Sequence, residues 1–190
     1  YYDSYRLSEI RYIENGVFLL RLTDTKIEMQ FFRDLWNVRD WQNIEKNTSE
    51  NYRLRADIDF TGVTDINSGL YINRLDGFEN GYTLSNITIN QNSNNVGLFY
   101  VINSSLYNVN FNHVTITNNS SARNTGIVLF DYGRAEKLNF NDVKINASNC
   151  NYVGIVADNF ASDTRNINVT NSKITGTHRV GGYSGRIKPS

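Results

Sequence analysis

Two histidines, one cysteine and nineteen acidic residues are the groups in this 190-residue chain whose types suit acid–base, nucleophilic or metal chemistry. Asp57 and Asp59 alternate with Ile58 and Phe60, so the carboxylates point outward if the apolar pair points inward. Two carboxylates so placed suit a calcium ion or general acid–base work. No partner cluster accompanies them in the sequence, and a solvated strand face is the plainer account. Asp131, Asp142, Asp158 and Asp163 fall at different offsets within the repeating pattern described below and do not stack into a glycosidase-like pair. His113 and His178 lie far apart, each within a β-type pattern, and no zinc ligand set can be assembled from the spacing. Cys150 is the sole cysteine, which excludes an internal disulfide. Between Asn149 and Asn151 it reads as a bystander thiol in a turn. The sequence therefore assigns no catalytic residue and no metal ligand.

Aromatic residues offer binding chemistry instead. Tyr132 and Phe160 each lie six residues after a glycine, Gly126 and Gly154, a phase match that places both on one face of neighbouring coils. A row of exposed aromatics stacks on sugar rings or forms a protein-contact patch, so a host glycan or glycoprotein is the candidate partner. Trp36 and Trp41 belong to the one helical pattern, Phe31 to Lys46. They either plug an open end of the core or stand exposed as an aromatic platform. These four residues are the candidate binding set. Most other Tyr and Phe side chains are expected to line the core and its loops.

What must position them is a repeat. Tyr82, Leu84, Ile87 and Ile89 are followed by an Asn-rich turn and Val96-Gly97-Leu98-Phe99. The unit returns as Val109, Phe111, Val114, Ile116 with Thr125-Gly126-Ile127-Val128, and as Leu138, Phe140, Val143, Ile145 with Val153-Gly154-Ile155-Val156. It returns again as Ile167, Val169, Ile174 with Val180-Gly181-Gly182-Tyr183. The last apolar anchors, at 89, 116, 145 and 174, are spaced 27, 29 and 29 residues apart, and Tyr52, Leu54, Ile58 and Phe60 give one earlier unit. A fixed period of this size outranks any local reading. Short β-favouring runs broken by Asn, Ser, Asp and Gly suit coils that stack on one another and share a core. Asn tolerates the tight turns between runs, and stacked Asn side chains suit ladders between coils. The recurring glycine marks a bend or a close backbone approach. A phosphate-cradling loop needs a helix start after the glycine, and none follows.

The expected architecture is all-β: a right-handed parallel β-helix (solenoid) of about five coils with a short helical cap and an N-terminal β-hairpin. Residues 1–30 fall outside the repeat. Ile10 to Ile13, Asn15-Gly16 and Val17 to Leu22 predict a hairpin with a two-residue turn, either a cap or the tail of a preceding domain. Residues 31–50 form the helical cap and 51–190 the solenoid. The nineteen basic and nineteen acidic residues cancel without a basic stripe, which gives nucleic-acid binding no electrostatic support. Apolar runs such as Val17 to Leu20 are far too short to span a membrane. The start, without an initiator Met or signal peptide, suggests a mature or excised fragment of a longer protein.

One ordered string of motifs goes further. Asp40-Trp41 is followed by Asn51-Tyr52-Arg53-Leu54 and Ala56-Asp57-Ile58-Asp59-Phe60, then by Leu75-Asp76-Gly77. Asn80-Gly81-Tyr82-Thr83-Leu84-Ser85-Asn86-Ile87-Thr88-Ile89 and Val96-Gly97-Leu98-Phe99 complete it. Over about residues 31–185 this order resembles the GLUG-type β-solenoid of the immunoglobulin A1 protease-like zinc metalloproteases (the M26 family) and of other large bacterial surface proteins. The resemblance implies a secreted or wall-attached bacterial protein. In such a protein this part positions substrate, spaces a catalytic domain from the wall, or serves as an adhesin or phage-tail segment. It implies no cofactor here, because the family's zinc site lies on a His-Glu-x-x-His helix in another domain, and neighbouring domains of the parent are expected partners. Arg186-Ile187-Lys188 matches a short basic motif of polygalacturonases, but their Asn-Thr-Asp, Asp-Asp and Gly-His-Gly companions are missing.

Overall fold

The computed structural model describes residues 16–22, 27–121, 123–159 and 163–186. Its spine is the strand Arg134–Asn146, which pairs in parallel with Asn110–Thr117 on one side and with Asp163–Thr170 and Lys173–Thr175 on the other. Phe140 stands over Phe111 and under Val169, and Ile145 over Ile116 and under Ile174, so the 29-residue spacing in the sequence is the register of the stack. Asn110–Thr117 pairs in turn with Thr83–Asn90, and that strand with Ile58–Asp59. A second run of parallel pairs joins Leu70–Asp76, Phe99–Tyr107, Val128–Asp131 and Val156–Asn159. Asn95–Val96, Asn124–Thr125 and Tyr152–Val153 make a third, short side. The molecule is a parallel β-solenoid of about four turns, with Tyr52–Phe60 contributing a partial one.

Two columns of left-handed residues make the corners. Asn108, Lys137 and Asn166 have φ of 53°, 55° and 53°; Asn86, His113, Asp142 and Asn171 have 59°, 54°, 51° and 50°. One left-handed residue turns a strand and resets its alternation. Leu138 and Phe140 therefore point inward before the Asp142 corner, and Val143 and Ile145 point inward after it. Asn, Asp and His tolerate this region better than other non-glycine residues. Lys137 lacks that preference, and its Nζ is held instead by the Tyr107 hydroxyl at 2.9 Å.

The core is columnar. Leu84, Phe111 and Phe140 lie one above another, and the two phenyl rings stack at 5.0 Å and 9°. Asn ladders run outside it, with amide-to-amide bonds of 2.8 Å from Asn124 to Asn95, 2.7 Å from Asn139 to Asn110 and 2.8 Å from Asn141 to Asn112. The recurring glycine reports a close approach. A Cβ on Gly97 would lie 2.5 Å from the Gly126 carbonyl oxygen, and one on Gly126 2.4 Å from that of Gly154.

The N-terminal region departs from expectation. A hairpin is present, but Gly16–Leu22 is its first strand and pairs antiparallel with Ile27–Leu35. Residues 10–15 lie outside the described residues. The helical pattern over 31–46 narrows to Val38–Gln42. Phe31–Leu35 are strand because Asn51–Leu54 offers them a parallel partner, and that tertiary pairing overrides the local spacing. The short helix starts where Asn37 Oδ1 accepts the Asp40 N–H at 3.1 Å and Asp40 Oδ2 accepts the Trp36 N–H at 2.8 Å.

Candidate binding surface

The four aromatic candidates meet different fates. Trp41 is fully buried, edge-on to Phe60 at 5.5 Å and Phe99 at 5.8 Å, with its indole N–H donated to the Asn67 carbonyl at 3.0 Å. It plugs the core, and its ring is not offered to a ligand. Trp36 does not share that role. It is 51% exposed, with the Arg55 guanidinium 5.2 Å from its ring centroid. Phe160 lies outside the described residues. Tyr132 is 47% exposed and lies nearly parallel to Phe130, with centroids 6.5 Å apart.

Around Tyr132 the solenoid assembles a row that periodicity does not disclose. Phe130 meets Tyr100 edge-on at 5.5 Å, and Tyr100 is itself exposed. Tyr71 is close enough to Tyr132 to act on it electrostatically, and its hydroxyl accepts from Asn103 Nδ2 at 3.0 Å. The register explains Tyr100. Leu70 pairs with Phe99 and Tyr71 with Val101, so Tyr100 is the extra residue of a bulge. Bulges re-aim side chains. Tyr100 and Phe130 sit on neighbouring stacked strands, and Tyr132 follows Phe130 by two residues on the same coil.

The carboxylates do other work. Asp57 Oδ1 accepts the Thr83 N–H at 2.7 Å. Asp59 Oδ1 accepts from Asn86 Nδ2 at 2.8 Å, Thr61 Oγ1 at 2.7 Å and the Thr61 N–H at 2.9 Å, and these bonds lower its pKa. Both aspartates staple turns. Cys150 is buried, and its sulfur accepts the Thr125 hydroxyl at 3.3 Å. His113 sits beside Asp142, whereas His178 lies near Tyr152 and Arg179. Among the described residues no three His, Cys, Asp or Glu side chains converge, so these residues do not fit a zinc ion.

Asp158 and Asp131 end the row from opposite sides of the sheet. Asp158 is buried near Tyr132, with Arg186 Nη1 3.5 Å from Oδ2. Asp131 is 1% exposed and accepts the Gly133 N–H at 3.2 Å; burial raises its pKa to about 6 against that one bond. Burial and then the Asp131 charge raise the pKa of Tyr183. The folded-state pKa of Asp131 exceeds its unfolded value, so its contribution is most favourable below about pH 4 and is lost as pH rises through about 6. D131N should raise stability by about 3 kcal/mol at pH 8 and barely change it at pH 4. Urea denaturation of both proteins at the two pH values checks this. An equal effect at both would contradict a titrating Asp131.

No protein-family model matches the chain, and no curated protein matches it. Among solved structures it is similar to the crystal structure of a putative immunoglobulin A1 protease from Bacteroides ovatus, with a TM-score of 0.47 and 17% identity. The match covers 88% of this chain and 64% of that one. At this level the likeness concerns the backbone path and says nothing of activity.

Proposed function

We propose that this chain is a non-catalytic recognition and spacer module of a larger secreted or wall-attached bacterial protein, and that it contacts a glycosylated host protein through the Tyr100–Phe130–Tyr132 row. One observation carries the reading: the exposed rings of Tyr100 and Tyr132 flank the half-buried Phe130 on two neighbouring coils, with Tyr100 turned outward by a bulge. Such rings offer flat apolar faces to sugars with little ordering left to do on binding. The resemblance of the ordered motifs to the GLUG-type solenoid supports placing the module beside a zinc protease domain. The zinc then belongs to that domain, outside these residues.

Surface plasmon resonance on immobilised mucin, native and chemically deglycosylated, tests the recognition. The wild-type chain is expected to bind native mucin, to lose binding on deglycosylation, and to lose at least tenfold in affinity in a Y100S/Y132S variant. Both tyrosines lie outside the core, so the variant keeps the solenoid. No binding to mucin, or binding indifferent to the double substitution, would remove the row from the function.

A further inference from the structure

A second surface lies on another face of the solenoid, at the corner made by Asn86, His113 and Asp142. These three left-handed residues stack one per coil, and Thr88, Thr115 and Lys144 stack beside them in register. Between the two columns runs an open trough of about 400 Å³, lined also by Thr61 and Gly62. Every side chain along it is polar. Its step is the distance between coils, about 4.8 Å, comparable to the length of one sugar ring in a linear chain.

Within the lining of the trough Lys144 is answered by Asp142, and the imbalance begins one coil beyond it. Lys144 lies 2.9 Å from Asp142 Oδ1, and His113 Nε2 lies 3.6 Å from Oδ2. One coil further on, Lys173 stands in register with Lys144. The corner there is Asn171 where the coil below has Asp142, so no carboxylate accompanies the second lysine. Lys173 is exposed and has no ion-pair partner among the described residues. Like charges directly opposite on neighbouring strands destabilise a sheet. A bound anion would relieve this pair. Asp142 keeps lone pairs beyond those facing Lys144 and His113, and these can accept hydroxyls of the same ligand. Hydroxyls on one stretch and a carboxylate on the next describe an acidic saccharide better than an acidic peptide.

We infer that the trough between the Asn86–His113–Asp142 corner and the Thr88–Thr115–Lys144–Lys173 column binds a linear carboxylate-bearing polysaccharide along the solenoid axis. Isothermal titration with octasaccharides of hyaluronan and polygalacturonate tests it, with dextran of equal length and sulfated dextran as comparators. At least one carboxylated oligomer should bind at least tenfold more tightly than dextran. K173Q should weaken that binding fivefold or more at unchanged melting temperature, whereas D142N, which removes the carboxylate beside Lys144 and keeps an acceptor, should leave it equal or tighter. Asn already occupies the same corner at 86 and 171, so D142N preserves the backbone. Failure of both acidic oligomers to bind, binding unmoved by K173Q, or binding weakened fivefold by D142N would overturn the inference. Equal affinity for sulfated dextran would overturn it too, since attraction would then be charge alone.

Discussion

Replacing Gly126 by alanine is expected to cost about 4 kcal/mol, through overpacking and the backbone hydrogen bonds it disrupts. The added Cβ would lie 2.4 Å from the Gly154 carbonyl oxygen and 3.1 Å from that of Ile155. Both obstacles are backbone, so no rotamer change relieves them. Relief requires the two coils to part where Ile127 and Val128 donate to the Ile155 carbonyl at 2.9 and 3.0 Å and Gly154 donates to Thr125 at 3.3 Å. The strand Val128–Asp131 starts two residues on, so the aromatic row would be displaced with it. Gly182 supplies the comparison, because a Cβ there meets nothing within 4 Å and its φ is ordinary. G182A should therefore change stability by no more than about 0.5 kcal/mol. Urea denaturation of the two variants decides the matter. A loss under about 1 kcal/mol in G126A would mean that the coils do not approach so closely.

The glycine was legible in the sequence because it recurs with every coil, and so were the inward columns. Repetition lets an apolar position be read four times over. What happens once per chain was not legible. Tyr100 is turned outward by the bulge opposite Leu70 and Tyr71, an irregularity of one strand pair that the repeat count does not carry. Phe31–Leu35 shows helical spacing locally and becomes strand because of residues sixteen or more positions downstream. The trough needs three corners side by side, and its residues Asn86, His113 and Asp142 share only a left-handed backbone. In the stretch NYRLRADIDF alternation spoke only to Asp57 and Asp59, and nothing local disclosed that Arg53 is buried, 5% exposed. Its covering residues come from distant parts of the chain.

That cover makes Arg53 the side chain, outside the apolar columns, with the largest expected effect. Its Nε and Nη2 both lie 3.2 Å from Asp34 Oδ1, and its guanidinium is sandwiched between Phe78 at 4.8 Å and Phe32 at 5.5 Å. Arg55 fills the gap between Phe78 and Trp36, at 5.3 and 5.2 Å, and Arg74 lies 5.2 Å from the other rim of the zipper, Phe32. The order Trp36, Arg55, Phe78, Arg53, Phe32, Arg74 alternates aromatic and cation and binds the strand Ile27–Leu35 to the first turn of the solenoid. R53A leaves Asp34, whose side chain is 10% exposed, with Arg55 at 3.9 Å as its remaining ion-pair partner. Breaking a buried pair from one side should cost about 4 kcal/mol. R53K keeps the charge but not the planar group that both rings cover, and should recover no more than about half of that. A double-mutant cycle of R53A with F78A should give a coupling of about 1 kcal/mol, the contribution of one cation–ring contact. R53K as stable as wild type would leave the charge alone responsible and the aromatic sandwich without effect. A lysine that fails while the cycle shows coupling would assign the hold on the N-terminal strand to the stacked guanidinium.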